Sequence, residues 1–531
     1  MKSKLSPVRL PLIALALIIA LLLRSLILAT QAVPFNSDEA VVALMARHTL
    51  QGEWPIFFYG QSYMGSLDAT LIAVVFAILG ESVLAIRLVQ TALYLGIAAT
   101  TYVLGLRLFG CQWRAGASIS LIAMPTVLMS TYTTATLGGY GEVLLLGNLV
   151  LLLGHAVATD RPDDWRAWAG LGVAAGLGFW TSALIAVYLL PAAALFLWRT
   201  WTRPSNEKNW QGILVAAGAF LLSSGPWWWH NLTHNWSALR FMLTGIESRG
   251  IGVSTVTFPM RLTGMVVLGI PALLGMRFPW SGGYFSLPLS VPALAIYLAA
   301  FVYALVQACR RPGVGRGLLL GMAAAFAALF LLSSFGTDAT GRYFLPLAIP
   351  LALWTADLLA RVRDESNRLA LLGLFLLLSF NLLGTGLAIY QNPPGLTTQF
   401  HPITRFDNRY DDELVAFLGE IDVSRGYSNY WVAFRIAFLS REDIILSSQL
   451  PYKPDLSYNP ADDRYPPYTA QVDRADKVVY ITSILPALDA VLAERLSAAG
   501  LGFSEKQIGP YHLFYNLTRK ITPQELGFGH R

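Results

Sequence analysis

Long apolar runs recur through the first 390 residues and are separated by short polar segments. A membrane-spanning helix needs about 20 apolar residues. Runs of suitable length predict spans near 10–30, 83–106, 115–132, 141–158, 211–229, 288–309, 317–335, 343–361 and 369–390. The run 167–198 is too long for one span and is broken at Trp180, Thr181 and Ser182, so it predicts two short helices joined by an outward turn. The pattern predicts an α-helical polytopic membrane protein with about 11 spans.

Two further apolar segments fit the surface of a membrane better than its interior. Segment 69–80 follows Asp68 and predicts a juxtamembrane helix. Segment 261–276 would break the parity of the spans if it crossed, so it predicts an interfacial or re-entrant helix on the outer face.

The basic residues predict the orientation of these spans, because cytoplasmic loops are enriched in Lys and Arg. With Lys2, Lys4 and Arg9 inside, the predicted inner loops are all short and basic: 107–114, 161–166, 199–208, 310–316 and 361–368. The predicted outer segments are 31–82, 133–140, 230–260 and 336–342. An odd number of spans then leaves the C-terminal tail outside the cytoplasm.

The pattern changes after the linker that begins near residue 391. Helical periodicity at 409–421 and 487–500 alternates with apolar strand patterns at 443–448 and 477–483, and a strand pair is predicted at 503–517. We therefore predict a transmembrane domain at 1–390, with a first outer loop at 31–82, and an extracytoplasmic α/β domain at 391–531. The tail contains no Gly-rich phosphate loop and no Asp-x-Asp sequence.

Composition supports the membrane assignment. Charged residues make up 13% of the chain, against about 25% in soluble domains, and the mean hydropathy is +0.52. The net charge of +6 comes mostly from the short basic loops, so it indicates topology and gives no reason to expect a nucleic-acid partner. The two cysteines offer no disulfide framework. The basic, apolar start predicts an uncleaved first span.

Polar groups that can perform chemistry gather in the predicted outer segments. The first loop carries three carboxylates and a set of aromatic and amide groups: Asp38, Glu39, Asp68, Trp54, Tyr59, Gln61 and Tyr63. Others lie at predicted span ends: Glu142, His230, Asn231, Asp338, Arg342 and Tyr343. A charge deep in a span costs at least ~2.5 kcal/mol, so such residues usually face protein or a polar cavity.

Several of these motifs resemble the membrane-embedded GT-C glycosyltransferases. The motifs are SDEA after the first span, FFYGQSYMGSLDA, PWWWHN and the segment RYFLP. The likeness covers roughly 10–390 and is greatest to bacterial glycosyltransferase family 39 proteins, which are related to protein O-mannosyltransferases and lipid A aminoarabinose transferases. It implies a polyprenyl-phosphate-sugar donor, an acceptor hydroxyl, an outer-face site in a bacterial or archaeal plasma membrane, and no nucleotide cofactor. The chain lacks a recognisable MIR-type insert, which argues against a protein acceptor.

The resemblance implies the role of Asp38, and side-chain chemistry suggests the roles of the other candidates. The first acidic residue of the loop, Asp38, is the expected general base, with Glu39 beside it. Arg342 matches the two-point geometry of a phosphate, and Asp338 and Tyr343 flank it. The remaining candidates are expected to position acceptor or sugar: Asp68, Glu142, Tyr59, Gln61, Tyr63, His230 and Asn231. Carboxylates such as Asp38 and Glu142 can also hold a divalent cation, Mg²⁺ or Mn²⁺.

Each candidate also has a purely structural interpretation. Asp38 and Glu39 suit the first turn of a helix, and Asp68 suits the start of the next. Glu142 can pair with an arginine, and Arg342 can anchor a span at the interface. Aromatic residues at span ends are typical of the aromatic belt, and His230 suits an interfacial hydrogen bond.

The sequence leaves three functions in competition. The first is an inverting hexosyl- or pentosyltransferase that uses a lipid-linked sugar. The second is a transporter or flippase for a lipid-linked saccharide, which should carry its polar groups at mid-membrane on broken helices. The third is a non-catalytic envelope scaffold that binds through its C-terminal domain.

Overall fold

The computed structural model describes residues 10–202, 209–244, 256–333, 336, 338, 340–405 and 407–528. The basic residues Lys2, Lys4 and Arg9 lie outside this part of the chain. So do residues 203–208 of the predicted inner loop 199–208 and residues 245–255 of the predicted outer segment 230–260.

Helices dominate the described residues. They are α1 (Leu10–Ala29), α2 (Ser37–Leu50), α3 (Leu67–Leu79), α4 (Val83–Phe109), α5 (Gln112–Ala123), α6 (Val127–Tyr132), α7 (Tyr140–Thr159), α8 (Trp165–Thr181), α9 (Ala186–Thr202), α10 (Trp210–Ser223), α11 (Gly225–Thr233), α12 (Ser237–Thr244), α13 (Phe258–Thr263), α14 (Ile270–Leu273), α15 (Leu287–Arg310), α16 (Val314–Leu332), α17 (Ala348–Glu365), α18 (Asn367–Tyr390), α19 (Asp411–Glu420), α20 (Tyr430–Leu439), α21 (Pro466–Arg474) and α22 (Pro486–Ala498). A π-helical segment, Gly264–Gly269, joins α13 to α14, and a 3₁₀ segment, Arg342–Leu347, leads into α17.

Seven described helices are long and apolar enough to cross a membrane: Leu10–Ala29, Val83–Phe109, Tyr140–Thr159, Leu287–Arg310, Val314–Leu332, Arg342–Glu365 and Asn367–Tyr390. The predicted α-helical polytopic class is confirmed, whereas the count of 11 spans remains a prediction. Two predicted spans are broken helices. The span 115–132 is divided between α5 and α6 at Pro125, and 211–229 between α10 and α11 beside Pro226, because proline has no N–H to continue a helix.

The chain forms two compact units. One comprises Met1–Val33, Tyr63–Asp68 and Ile86–Thr398, and the other comprises Pro34–Ser62, Ala69–Ala85 and Gln399–Arg531. We call them the helical unit and the mixed unit.

Small residues let the helices of the helical unit pack closely. In α8, a Cβ added at Gly172 would lie 2.2 Å from the carbonyl oxygen of Ala216 in α10, and one at Gly176 would lie 2.4 Å from that of Phe220. Such contacts are typical of membrane helices, where packing of small residues drives association. The pairs α7–α8, α5–α17, α9–α16 and α15–α17 also pack together.

The mixed unit contains a five-stranded sheet in the order β4-β3-β5-β7-β6. The strands of the chain are β1 (Phe57–Phe58), β2 (Gln61–Gly65), β3 (Arg425–Tyr427), β4 (Ile445–Ser447), β5 (Val479–Ser483), β6 (Ser504–Ile508) and β7 (Tyr511–Tyr515). β3 pairs in parallel with β4 and β5, whereas β7 pairs antiparallel with β5 and β6. The predicted α/β character of the C-terminal region is confirmed. The prediction omitted β3, α20 and α21.

The core of the mixed unit joins this sheet to its helices. Buried side chains of α19, α20 and strands β4, β5 and β7 form one apolar cluster, including Leu414, Val432, Leu446, Ile481 and Leu513. Helix α2, from the first loop, packs against α20 in the same unit. The SDEA motif is therefore held by the same unit as the sheet.

Candidate active site

Asp38 lies in the first turn of α2. The side-chain oxygen of Asn36 accepts hydrogen bonds from the backbone N–H groups of Asp38 (3.0 Å) and Glu39 (3.3 Å) and so caps the helix. Both acids suit this position, since the helix dipole favours negative charge at its N-terminus. Glu39 is fully buried, whereas Asp38 is half-buried. Of the two, Asp38 is the one whose carboxylate is accessible.

One oxygen of the Asp38 carboxylate has a partner from far along the chain. The hydroxyl of Tyr430 donates to Asp38 Oδ1 at 2.5 Å. Within the described residues, Oδ2 has no hydrogen-bond partner. The carboxylate is thus held at one oxygen and open at the other.

Charged groups surround Tyr430. The guanidinium of Arg464 lies over its ring, 5.4 Å from the centroid. Burial raises the pKa of nearby Asp462 to about 6, against the opposing effect of Arg464 and Lys453. Asp38 and Asp462 are close enough to interact electrostatically, so Tyr430 lies near two acids.

The other end of α2 is fixed by a network around Glu442. Arg47 pairs with Glu442 at 3.3 Å and with Glu81 at 2.7 Å. His48 Nε2 lies 3.0 Å from Glu442 Oε1, which also accepts a hydrogen bond from Tyr468 at 2.7 Å. Burial alone would raise the pKa of Glu442, but the hydrogen bonds from His48 and Tyr468 and the charge of Arg47 lower it to about 2. This network holds α2 in place.

The predicted aromatic candidates of the first loop have mixed surroundings. The Tyr59 hydroxyl oxygen lies 2.8 Å from His48 Nδ1, and the Tyr59 ring stacks on that of Tyr465 with ring centroids 4.6 Å apart. Gln61 is half-buried in β2. Trp54 is 72% exposed, which leaves its ring open to a ligand or to lipid head groups.

In the helical unit, Asp68 and Glu142 form a buried acid pair. Asp68, at 1% exposure, accepts hydrogen bonds from Gln90 Nε2 (2.9 Å) and from the hydroxyl of Thr136. Its carboxyl group also interacts with that of Glu142, which is 2% exposed. Glu142 therefore interacts with an acid in the described residues, and not with an arginine as its structural interpretation predicted.

The Glu142 carboxylate is suited to bind a cation. Its two oxygens are buried and interact with the neighbouring Asp68 carboxyl group and with the backbone N–H of Glu142 itself. Two adjacent carboxylates repel unless they share a proton or bind a cation, and hard oxygen ligands suit Mg²⁺ or Mn²⁺. The described residues include no group of three or more His, Cys, Asp or Glu side chains that could hold a metal ion. Any cation here would need oxygens from other groups or from substrate.

Arg342 opens the 3₁₀ segment that leads into α17. Its Nη2 pairs with Asp338 Oδ2 at 2.5 Å, and its guanidinium lies 5.1 Å from the Tyr343 ring centroid. Asp338 Oδ1 is held by the backbone N–H of Thr340 at 2.9 Å. Gly341 has φ +120°, and a Cβ there would lie 2.9 Å from Ala272, so glycine permits the turn.

The Arg342 side chain retains capacity for a ligand. It is 35% exposed, and because its Nε is buried, a ligand would reach the guanidinium through the exposed part of the side chain. Tyr140, in the first turn of α7, is close enough to Arg342 and Asp338 to interact with them electrostatically. Glu142 follows two residues later. One helix start therefore carries both a neighbour of the arginine and a member of the acid pair.

The remaining candidates have packing partners. Tyr63 stacks on Phe241 with centroids 5.1 Å apart. His230 Nε2 lies 3.0 Å from the hydroxyl of Ser237, as its structural interpretation predicted. Asn231 donates to the carbonyl of Trp227 within α11 and accepts from the N–H of Leu239, so the amide oxygen ties α11 to α12.

The candidates form three groups. The mixed unit holds Asp38, Glu39, Tyr59 and Gln61, and the helical unit holds the Asp68–Glu142 pair and the Asp338–Arg342–Tyr343 group. Asp38 and Glu142, named together as metal ligands, belong to different units. Sequence reasoning missed the polar partners of these groups: Gln90, Thr136, Tyr140, Tyr430, Asp462 and Arg464. Gln90 lies in an apolar helix, and Thr136 and Tyr140 lie in or beside a glycine-rich segment, so none of them forms a recognisable motif. Tyr430, Asp462 and Arg464 are 392 residues or more after Asp38 in the sequence.

Comparison with known proteins agrees with this architecture. A profile of the family described as dolichyl-phosphate-mannose-protein mannosyltransferase matches residues 67–229, which include Asp68 and Glu142. No curated protein sequence matches the chain.

Solved structures share the fold over most of its length. ArnT from Cupriavidus metallidurans bound to undecaprenyl phosphate matches with a TM-score of 0.63 at 13% identity, covering 95% of this chain and 98% of that one. Its apo state matches with a TM-score of 0.59 at 14% identity, covering 95% and 97%. The Archaeoglobus fulgidus oligosaccharyltransferase in complex with Zn and sulfate gives 0.50 at 14% identity, covering 95% and 73%.

The resemblance to GT-C glycosyltransferases is thereby confirmed at the level of fold. With its long apolar helices, the protein is an integral multi-pass membrane protein.

Proposed function

We propose that this protein transfers a sugar, with inversion, from a polyprenyl-phosphate donor to a hydroxyl group of an envelope glycan, lipid or protein. The observation that carries the proposal is the start of α7, which adjoins both a partly exposed arginine and a buried acid pair. The fold supports it, since ArnT, which shares the fold, has been solved with undecaprenyl phosphate bound.

Arg342 would bind the donor phosphate. Asp338 holds the guanidinium at Nη2. Because 35% of the side-chain surface is exposed, N–H groups of the guanidinium would bind two phosphate oxygens. A fixed guanidinium also stabilises the charge that develops on the leaving phosphate in the transition state. Tyr343 would flank the sugar-phosphate linkage.

Asp38 would act as the general base. The acceptor hydroxyl oxygen attacks the anomeric carbon, the bond from that carbon to the phosphate oxygen breaks, and the hydroxyl proton passes to Asp38 Oδ2. Polyprenyl phosphate leaves as the anion. General bases contribute about 10²–10⁴-fold to such reactions. Tyr59 and Gln61, half-buried residues of the same unit as Asp38, would contact the acceptor, and the buried Glu39 would support the start of α2.

A divalent cation at Glu142, which Asp68 supports, would neutralise negative charge near the donor phosphate. The two adjacent buried carboxyl groups of Glu142 and Asp68 fit that role. The chain's own part is to fix Asp68 beside Glu142 through the hydrogen bonds that Gln90 and Thr136 donate to Asp68.

We further propose that the site and the region after residue 391 face away from the cytoplasm, because every predicted inner loop is basic. A C-terminal reporter that is active only in the cytoplasm should stay silent. Strong reporter activity would reverse the proposed orientation.

The activity is tested with purified protein in detergent. Dolichyl-phosphate mannose and undecaprenyl-phosphate sugars are offered with envelope extracts, and the release of polyprenyl phosphate is measured with and without a chelator. Coupled release and glycosylation support the proposal. Movement of intact lipid-linked sugar across vesicles without release would instead establish a flippase. Loss with chelator and recovery with Mg²⁺ or Mn²⁺ assigns a cation to the acid pair, and an unchanged rate assigns it a shared proton.

Donor titrations of Arg342 variants test the phosphate site. We expect Arg342→Ala to abolish transfer nearly completely and Arg342→Lys to weaken donor use strongly, since Lys keeps the charge but loses the planar two-point contact. If Arg342 is only an interfacial anchor, Lys will serve as well, because either cation can extend to the head groups. Unchanged donor dependence in the Lys variant would contradict the assignment.

A further inference from the structure

We infer that Tyr430, 392 residues after Asp38, is a positioning residue for the catalytic base, so that the C-terminal region completes the site. The inference rests on the proposed function, since it assumes that Asp38 takes the acceptor proton. It starts from the hydrogen bond that Tyr430 donates to Asp38 Oδ1 at 2.5 Å.

The Tyr430 hydroxyl is held by a rigid support. Tyr430 begins α20, and the side chain of Asn429 caps that helix by accepting from the N–H of Trp431 at 3.0 Å. The same Asn429 donates to the hydroxyl of Ser483 in β5 at 2.9 Å. The start of α20 is thus tied to the central strand of the sheet.

The Tyr430 ring is also fixed from the sides. It is 3% exposed and packs against Trp431 and Phe434, with ring centroids 5.1 and 5.5 Å away. The Arg464 guanidinium covers the ring at 5.4 Å. A nearby positive charge polarises the phenolic O–H and makes it a better donor to a carboxylate. Tyr430 is therefore both immobile and well suited to hold an anion.

Fixing one oxygen of Asp38 has a consequence for the other. The backbone of Asp38 is anchored by the Asn36 cap, and the bond to Tyr430 stops rotation of the carboxylate. Oδ2, which has no partner among the described residues, then keeps one orientation toward an incoming hydroxyl. Catalysis gains from this because a misplaced base loses rate even when its charge is unchanged.

The alternative is that this hydrogen bond only stabilises the mixed unit. A double-mutant cycle separates the two, since residues that act as one catalytic group are non-additive in rate. The variants are Tyr430→Phe, Asp38→Asn and the double variant of the full-length protein, assayed with whichever donor above supports transfer. Slow variants are followed with radiolabelled donor.

Tyr427→Phe is the matched control. Tyr427 is a fully buried tyrosine of the same unit, three residues before Tyr430, and its hydroxyl has no hydrogen-bond partner within the described residues. It reports what the loss of a buried hydroxyl does without any contact to Asp38.

We expect Tyr430→Phe to lower kcat roughly 10- to 100-fold, the effect of a lost hydrogen bond to a charged group, with both KM values nearly unchanged. In the Asp38→Asn background the same change should cost less than about twofold. Tyr427→Phe should retain the wild-type kcat, and the Tm of every variant is measured alongside.

Equal effects of Tyr430→Phe in both backgrounds, or a wild-type kcat, would overturn the inference while leaving Asp38 as the base. Wild-type transfer by Asp38→Asn would instead overturn the proposed base itself. The two failures are therefore distinguishable.

Discussion

Asp38 and Asp68 occupy the same position in two different helices. Each is the second residue, of α2 and α3 respectively, where a carboxylate suits the helix dipole. Their side chains differ. Asp68 is fully buried and receives hydrogen bonds at both oxygens from Gln90 and Thr136, whereas Asp38 is half-buried and is held at one oxygen.

The comparison shows that a helix-start acid can be structural or reactive for reasons that its local sequence does not reveal. The dipole explains why both residues are tolerated. The number of occupied oxygens separates a carboxylate that holds the fold together from one that can accept a proton. We therefore assign Asp38 to chemistry and Asp68 to support of Glu142.

The strongest prediction compares neutral variants of the two acids. Asp38→Asn keeps the hydrogen-bonding shape but removes the base, so we expect turnover to fall at least ~100-fold with normal expression. Asp68→Asn should lower turnover much less, since Asn can still accept from Gln90. Initial rates of transfer by the two purified variants decide this.

Near wild-type transfer by Asp38→Asn would remove it from the mechanism. A larger loss in Asp68→Asn than in Asp38→Asn would reverse the comparison and move the base to the helical unit.

The second prediction concerns stability. Asp68→Ala leaves the buried Gln90 amide and Thr136 hydroxyl without their acceptor, at a cost of about 1–3 kcal/mol for each unsatisfied group. We expect a clear loss of Tm in detergent, measured by thermal unfolding. Asp38→Ala, at a half-buried site, should change the Tm less. Equal losses of Tm in the two variants would show that the two acids contribute equally to stability.

The smallest expected effect concerns Asp462, the acid that faces Asp38. Its pKa of about 6 lies above the unfolded value of about 3.9, so its stabilising influence declines as the pH rises from about 4 to 6. Above pH 6 the buried charge destabilises the fold. Asp462→Asn should thus raise the Tm at pH 7.5 by about 2 °C or more, and the gain should shrink at pH 5.

Thermal unfolding of the wild type and Asp462→Asn across this pH range provides the measurement. If the increase in Tm caused by Asp462→Asn became larger as the pH fell, the burial of a charge at Asp462 would be contradicted.

The sequence allowed much of the fold to be predicted. Apolar runs located α1, α4, α7 and α15–α18 to within a few residues, because hydropathy over about 20 residues is a strong signal. The break at Trp180–Ser182 correctly predicted two helices. Pro125 and Pro226 interrupt two apolar runs whose overall hydropathy predicts continuous spans, so each of these runs forms a broken helix.

The candidate site was less accessible to sequence reasoning. Asp338 beside Arg342 is a local pair and was foreseen. Tyr430 could not be found, because YWVAFRIAFL has the pattern of an ordinary buried helix and its contact with Asp38 exists only after folding. The same holds for Gln90 and Thr136, whose roles depend on where α4 and the segment after α6 meet Asp68.

The most direct test of the central claim is chemical rescue of a variant that lacks the base. Azide attacks an anomeric carbon without needing to lose a proton, so it bypasses general-base catalysis while still requiring the donor site. We predict that azide restores release of polyprenyl phosphate by Asp38→Ala, with a glycosyl azide as product, but does not rescue Arg342→Ala. Failure to rescue Asp38→Ala in a folded preparation that still binds donor would contradict the assignment of Asp38 as the base.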